Sequence, residues 1–213
     1  MMADESSKMA SGDRGTGPAA RSAEVSRKTS ETEISVSLNL DGEGRRKVST
    51  GAGFFDHMLE QIARHGLCDL EVEAAGDLHV DSHHLVEDTG IVIGQALDRA
   101  LGSREGITRY GSAHVPLDEA LALAAVDLGG RGFLAFNADL PKEKVGEFDS
   151  ELVEEFFRGL ANNARVTIHL NLLYGKNTHH MIEALFKAFA RALGQAASLD
   201  PRVSGVPSTK GSI

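Results

Sequence analysis

The chain has 213 residues, of which 41% are hydrophobic and 25% charged, as in ordinary globular proteins. Its formal net charge is −9, which argues against nucleic acid or a membrane surface as the partner, because such binders need a dense basic face. No apolar run approaches the ~20 residues of a membrane span, and the N-terminus carries no apolar signal segment. Cys68 is the only cysteine, so no intrachain disulfide is possible and the expected location is cytoplasmic.

The first part of the chain differs in composition from the rest. Residues 1 to about 24 are rich in Ser, Gly, Ala and Asp, which predicts a disordered leader. Residues 25–213 are predicted to form one domain made of two repeats, at about 29–106 and 107–200, followed by a C-terminal tail.

In the first repeat, apolar and polar residues alternate between Thr32 and Leu40, which predicts a half-buried strand. After the Asp41–Gly44 turn, a second strand, a helix ending at Gly66, a third strand and a long helix ending near Gly102 follow. The second repeat shows strand patterns, a glycine turn at 129–132, and the same helix, strand and helix order.

This order predicts an α+β fold of two duplicated halves, each built as strand-strand-helix-strand-helix. Each half would carry a mixed or antiparallel sheet with helices covering one face. The other sheet face would need cover from the other half or from another subunit.

One motif occurs twice and organises the functional argument. Asp81–Asp88 contains two adjacent histidines followed by a glutamate, and Asn177–Ala184 repeats this pattern 96 residues later. Ser82 and Thr178 are predicted helix N-caps, so each pair of histidines would begin a helix.

Helical geometry assigns different directions to the two histidines of a run. His83 and Glu87 are four residues apart and share one helix face, where they can chelate a metal ion. His84 is rotated by ~100° and faces elsewhere, so it could reach a metal held by another copy of the motif. The second run repeats this arrangement with the chelating pair His179 and Glu183 and the single His180.

These ligands are imidazoles and carboxylates without thiolate. Such a set suits Mn²⁺, Fe²⁺, Co²⁺ or Zn²⁺, and a preference for six ligands would favour Mn²⁺. Two copies predict a centre with two metals. His57 lies on the first helix, and His65 ends that helix, where capping is the ordinary role of a histidine.

Further motifs resemble the imidazoleglycerol-phosphate dehydratase family, which removes water from imidazole glycerol phosphate to give imidazole acetol phosphate in histidine biosynthesis. The resemblance runs from about residue 27 to the C-terminus. It rests on the segments 53–59, 81–88, 109–111, 115–119, 127–132, 175–180 and 207–211.

The resemblance implies a catalytic domain of two duplicated halves, of the ribosomal protein S5 domain 2-like kind. It also implies two Mn²⁺ per active site, a phosphorylated imidazole as the small-molecule substrate, and a homo-oligomer of 24 subunits with sites between subunits. No nucleic acid or membrane is expected as a partner.

Carried over by motif, eight residues would bind metal: His57, His83, His84, Glu87, Glu155, His179, His180 and Glu183. Glu155 departs from the family pattern, in which a histidine stands in a Val-Glu-His-Phe-Phe setting, whereas this chain has Val153-Glu-Glu-Phe-Phe157. A carboxylate is a suitable ligand for a hard divalent ion, so Glu155 is kept in the set.

The resemblance also implies a substrate-binding set made of Glu31, Arg109, Arg131, Lys187, Ser208 and Lys210. Gln61, one helical turn after His57, is added as a further residue expected to contact substrate. Arginine forks and lysine charges suit a phosphate group, so the tail containing Lys210 would be a phosphate-binding tail. Glu31 is the first candidate for the catalytic acid/base, and His65 and Asp118 are weaker ones.

Two other functions fit the doubled motif. A dinuclear metal-dependent hydrolase would use the same ligands with a bridging hydroxide and a broad range of substrates. A non-catalytic metal-binding assembly would lack an organised phosphate site, so that Arg109, Arg131 and Lys210 would be scattered in space.

Overall fold

The protein is described here by a computed structural model, which covers residues 20–213. A leader was predicted over residues 1–24, and its residues 1–19 lie outside the described range. The strands and helices, in chain order, are β1 (Ser22–Lys28), β2 (Thr32–Asn39), β3 (Arg46–Ser49), α1 (Gly53–Gly66), β4 (Asp69–Gly76), α2 (His83–Leu101), β5 (Tyr110–Leu117), β6 (Ala120–Asp127), β7 (Phe133–Asn137), β8 (Lys144–Val145), β9 (Phe148–Asp149), α3 (Leu152–Ala164), β10 (Thr167–Tyr174) and α4 (Thr178–Ala197).

Two four-stranded sheets of the same topology form the frame. The first has the order β1-β2-β4-β3 and the second β5-β6-β10-β7. In each sheet three neighbours pair antiparallel and the last strand pairs parallel, so both sheets are mixed, as predicted. The register places Val25, Val36, Val72 and Val48 side by side across the first sheet, where they pack toward the helices.

The helices pair across the two halves. α2 packs on β1 and β2 and contacts α3 of the second half, while α4 packs on β5 and β6 and contacts α1 of the first half. Glycines allow the close approach of α2 and α3, because a methyl group added at Gly90 would lie 2.4 Å from the carbonyl oxygen of Phe156. At the other crossing, a methyl group on Gly194 would lie 2.7 Å from the carbonyl oxygen of Gly66.

The duplicated α+β architecture is confirmed, but the order strand-strand-helix-strand-helix was wrong by one strand, because the sheet of each half has four strands. Ser22–Glu24, predicted to belong to the leader, begin β1, and in each half three strands of the four-stranded sheet precede the first helix. The alternation in Ser22–Lys28 is weak because only Ala23 and Val25 are apolar, and Val25 alone is fully buried. The second half also contains the small β8–β9 hairpin, which the sequence did not predict.

The outer faces of the two sheets differ in character. Glu24, Ser35, Lys47 and Glu71 make the first face polar. The second carries exposed aromatic side chains, including Tyr110 and Phe133. None of the helices within residues 20–213 has both the length and the hydropathy that crossing a membrane would require.

Candidate metal centre and substrate site

The doubled histidine runs begin α2 and α4. Ser82 is at the N-cap position of α2, as predicted, whereas the N-cap of α4 is Asn177 and not Thr178. Asn177 is the N-cap of α4, and its side chain accepts a hydrogen bond from the amide of His180 at 3.2 Å. Ser82 occupies the N-cap position of α2 without a side-chain cap bond, and Asp81 Oδ1 instead accepts from the amide of His83 at 2.8 Å. Thr178 is the first helical residue and makes no cap.

One group of potential metal ligands converges where α1 crosses α4. His57 from α1 and His179 and Glu183 from α4 each offer a donor atom within 4.8 Å of the others. Glu183 Oε2 lies 3.1 Å from His179 Nε2 and 3.6 Å from His57 Nε2. We call this group the α1–α4 set.

Two more side chains hold this group in place. The Lys187 ammonium lies 2.7 Å from Glu183 Oε1, and Gln61 Nε2 lies 3.3 Å from His57 Nδ1. Burial alone would raise the pKa of Glu183, but Lys187 and the neighbouring imidazoles outweigh it, so the pKa lies below its usual value. Glu183 is therefore an ionised carboxylate at neutral pH. Gln61, expected to contact substrate, contacts the His57 ring within this chain.

The second group lies where α2 crosses α3, and it is more open. His83 Nε2 lies 3.9 Å from Glu87 Oε2, and His83 and Glu155 line one cavity of about 340 Å³ together with Asp149. Glu155 Oε2 lies 3.5 Å from Arg158 Nε on its own helix. We call His83, Glu87 and Glu155 the α2–α3 set.

The second histidine of each run faces away from its own chelating pair, as helical geometry predicts. His84 Nδ1 lies 3.0 Å from Asp77 Oδ2 and 3.9 Å from Glu31 Oε2. The hydrogen bond with Asp77 raises the pKa of His84. These contacts place His84 beside the turn between β1 and β2.

His180 is held in the same way. Its Nδ1 lies 2.8 Å from Glu119 Oε2, and its Nε2 lies 3.9 Å from Asp118 Oδ2. The hydrogen bond from His180, with others from the backbone amides of Asn177 and Lys176, lowers the pKa of Glu119 to about 2. These hydrogen bonds hold the Glu119 carboxylate, from the β5–β6 turn, against the first residues of α4.

The three candidates for acid/base catalysis occupy different places. Glu31 and Asp118 lie in equivalent hairpin turns, and their side chains are 51% and 75% exposed. His65 lies in the last turn of α1, in a cavity of about 530 Å³ that Arg21 and Arg191 also line. Burial and then the charges of Lys187, Arg191 and Arg64 lower the pKa of His65.

The residues expected to bind phosphate separate into two groups within one chain. Arg109 is ion-paired to Asp127 at 2.8 Å and donates at 2.7 Å to the carbonyl oxygen of Pro207, so it contacts the tail that carries Ser208 and Lys210. The turn of Arg131 also approaches the tail, because a methyl group on Gly130 would lie 2.8 Å from Ile213.

Lys187 belongs to the other group. The Arg109 amide donates to the carbonyl oxygen of Ala196, which lies nine residues after Lys187 on α4. A rise of 1.5 Å per residue separates these two helix positions by about 13 Å. Within one chain Lys187 therefore accompanies the α1–α4 set, while Arg109 accompanies the tail.

Three carboxylates in these contacts were not assigned a role from the sequence. Asp77 directly follows β4, Glu119 directly precedes β6, and Asp127 is the last residue of β6, before the glycine turn. The available signal was their position at strand ends, because such residues can reach a helix start or a turn nearby.

The family model for imidazoleglycerol-phosphate dehydratase matches residues 50–193. An enzyme of that name from Symbiobacterium thermophilum is 65% identical over 195 residues, which cover 92% of this chain and 94% of the relative. The one from Acetivibrio thermocellus is 59% identical over 193 residues, covering 91% and 99%.

Solved structures agree with the sequence comparisons. The crystal structure of imidazoleglycerol-phosphate dehydratase from Staphylococcus aureus is 46% identical, with a TM-score of 0.77, and the match covers 84% of this chain and 99% of that chain. The Pyrococcus furiosus structure, a complex with (S)-C348, is 36% identical, with a TM-score of 0.76 and coverage of 89% and 100%. The chain therefore belongs to the imidazoleglycerol-phosphate dehydratase family, and it is a hydro-lyase of histidine biosynthesis that converts imidazole glycerol phosphate to imidazole acetol phosphate and water.

Proposed function

We propose that this dehydratase binds its imidazole substrate at two Mn²⁺ ions, with ligands drawn from both helix crossings and from both outward-facing histidines. The observation that carries the proposal is the convergence of His57, His179 and Glu183 within 4.8 Å. The donor atoms are imidazole nitrogens and carboxylate oxygens, which fit a hard or borderline divalent ion. The full ligand set is His57, His83, His84, Glu87, Glu155, His179, His180 and Glu183.

Two ions suit this substrate because an imidazole ring has two nitrogens. When bound, the ions supply Lewis acidity and a template that fixes the ring. The reaction removes a hydroxyl group and a carbon-bound hydrogen from the side chain next to that ring, and together these leave as water. The remaining enol then becomes the ketone.

Glu31 is proposed as the carboxylate that moves the proton. Its side chain is half exposed and lies 3.9 Å from His84, so it is near the candidate centre and free to contact a substrate. Its backbone is fixed, since its amide donates to Thr29 Oγ1 at 3.1 Å. His65 and Asp118 remain weaker candidates for the same role.

The phosphate group is proposed to bind Arg109, Arg131, Lys187, Ser208 and Lys210. Because Lys187 accompanies the α1–α4 set and Arg109 accompanies the tail, these residues would join one phosphate only when copies combine. Gln61 is proposed to contact substrate beside His57.

A homo-oligomer follows from the same division. His84 and His180 face away from their own chelating pairs, and the exposed Tyr110 and Phe133 offer apolar cover for another copy. We propose the 24-subunit assembly that the family resemblance implies, with active sites between subunits and a cytoplasmic location.

The test begins with metal-free protein reconstituted with Mn²⁺ under anaerobic conditions and assayed with imidazole glycerol phosphate. Turnover to the ketone is expected only with metal present. Glu31→Gln should lower kcat by about 10²- to 10⁴-fold with unchanged bound metal, as expected for loss of a general acid/base. Glu33→Gln is the matched control, since Glu33 is an exposed carboxylate two residues away, paired with Lys28.

Near-full turnover by Glu31→Gln with intact metal would show that another group moves the proton. Absence of Mn²⁺-dependent turnover in the unmodified protein would overturn the metal assignment. Hydrolysis of many phosphorylated or amide substrates would instead favour a dinuclear hydrolase.

A further inference from the structure

The second histidine of each run is hydrogen-bonded through the same ring nitrogen. His84 Nδ1 lies 3.0 Å from Asp77 Oδ2, and His180 Nδ1 lies 2.8 Å from Glu119 Oε2. Ionised carboxylates only accept hydrogen bonds, so each Nδ1 must carry its proton as the donor. A neutral ring protonated at Nδ1 has its lone pair at Nε2, which is the form that binds a metal ion.

We infer that Asp77 and Glu119 are positioning residues that fix His84 and His180 in this tautomer and orientation, so that each Nε2 can bind a divalent ion held by another copy of the chain. The inference rests on the proposed function, which makes these two histidines metal ligands. It adds the residues that orient them, which neither the sequence motif nor the histidine spacing identifies.

Glu119 is itself fixed by the helix that it serves. One of its oxygens accepts from the amides of Lys176 and Asn177 at 3.2 and 2.7 Å, while the other accepts from His180. The side chain thus joins the β5–β6 turn to the start of α4. Rotation of the His180 ring would break the bond to a carboxylate that cannot follow it.

Asp77 performs the same task from a different place in the fold. It follows β4, and its carboxylate is mostly shielded, with 17% of the side chain exposed. Its Oδ1 is buried and has no hydrogen-bond partner within the described part of the chain, so the contact between His84 Nδ1 and Oδ2 is the side-chain hydrogen bond that this carboxylate has there. Breaking that bond would leave a shielded charge without any partner.

The two halves therefore use carboxylates from non-equivalent positions. Glu31 and Glu119 lie at the ends of equivalent hairpins, β1–β2 and β5–β6. In the second half Glu119 accepts the hydrogen bond from His180. In the first half Asp77 accepts the corresponding bond from His84, and Glu31 lies 3.9 Å from His84 without a hydrogen bond to it. This exchange explains physically how one turn glutamate stays available for proton transfer while its counterpart does not.

The test measures Mn²⁺ binding, because a purely structural role would change stability without changing metal affinity. Metal-free protein carrying Glu119→Ala or Asp77→Ala would be titrated with Mn²⁺, with free ion followed by electron paramagnetic resonance. Loss of a carboxylate that orients a metal-binding histidine typically weakens the site by about 10- to 100-fold, and we expect that loss for one ion class in each variant. Glu105→Gln is the control, because Glu105 is exposed and lies outside the proposed site.

The conservative variants Glu119→Gln and Asp77→Asn cover the case in which an alanine variant fails to fold. An amide oxygen still accepts from Nδ1, so their affinity should lie between those of the unmodified protein and the alanine variants. Unchanged affinity in folded Glu119→Ala and Asp77→Ala would overturn the inference, as would amide variants that bind no better than alanine variants. If the unmodified protein binds no Mn²⁺, the metal centre itself fails, and that result is distinct because it precedes any substitution.

Discussion

The two helix crossings carry candidate metal-binding sets that differ in composition and in how closely their side chains approach one another. The α1–α4 set has two imidazoles and one carboxylate, already within 4.8 Å of one another, and Lys187 balances the charge of Glu183. The α2–α3 set has one imidazole and two carboxylates, and its cavity stays open at about 340 Å³. A divalent ion would neutralise the charge of its two carboxylates, of which Glu155 also lies beside Arg158. The two sets thus take their side chains from corresponding helices of the two halves but differ in the number of imidazoles and carboxylates.

A second difference concerns how each hairpin turn is tied to its long helix. In the first half the buried Asp88 forms an ion pair with Arg27 and accepts a hydrogen bond from Thr32 at 2.5 Å. The equivalent positions in the second half are apolar: Val115, Ala120 and Ala184. The first half therefore holds its turn with a polar cluster, and the second half does so by packing and through Glu119.

The largest expected effect comes from removing the carboxylate of either chelating pair. Glu183→Gln and Glu87→Gln should each lower kcat/KM by about 10³-fold or more, because metal Lewis acidity contributes several kcal/mol to such a reaction. Each variant should also lose about one ion per chain. Steady-state kinetics and metal analysis measure both effects.

Glu60→Gln provides the control for these variants, since Glu60 is a partly exposed carboxylate of α1 near Arg46. If only one of the two substitutions reduced activity, the two crossings would not contribute equally to catalysis.

An intermediate effect is expected at the polar cluster. Asp88→Ala leaves Arg27 without its partner and should lower the free energy of unfolding by about 2 kcal/mol, less than for a fully buried pair because Arg27 is 34% exposed. The triple variant Arg27→Val, Thr32→Ala, Asp88→Ala copies the second half and should come within about 1 kcal/mol of the unmodified protein, because apolar groups can replace a buried pair at little cost. Chemical denaturation measures both.

Lys28→Ala is a suitable control, because Lys28 is exposed and pairs only with the exposed Glu33 within the described chain. A triple variant as unstable as Asp88→Ala would mean that the two halves cannot exchange their ways of holding the turn.

The smallest effect is a change of metal preference. Glu155→His gives both sets two imidazoles and one carboxylate, and it should shift selectivity from Mn²⁺ toward Zn²⁺ or Co²⁺ by about tenfold, since imidazole is the softer ligand. Competition titrations measure the ratio. Glu154→His is the matched control on the same helix turn, where Glu154 pairs with Arg158. Equal shifts in both variants would remove Glu155 from the ligand set.

Local pattern predicted much of this molecule. The period of apolar residues gave the helices and most strands, and the four-residue spacing of His179 and Glu183 predicted that they share a face, which their 3.1 Å contact confirms. β1 was missed because the environment that buries Val25 is supplied by β2 and α2, and the segment itself carries little apolar signal.

The pairing of helices between the two halves could not be predicted from the sequence. Nothing local to His57 indicates that its partner helix is α4, more than 100 residues later, and nothing local to Glu119 indicates His180. The glycines that permit these crossings are visible in the sequence, but a glycine in a helix does not indicate which backbone segment packs against it. The capping by Asn177 was missed because Thr178 is an equally good N-cap residue by type.

The crossing of helices between halves also bears on the history of the chain. Each three-residue set takes two residues from one half and one from the other: α4 and α1 in one case, α2 and α3 in the other. A half-length ancestor that dimerised through the same crossings would have carried two identical sets, each completed by its partner chain. Fusion of two such copies would allow each set to evolve separately. Glu155 stands at the position in its set that His57 holds in the other, and two identical chains could not differ in this way.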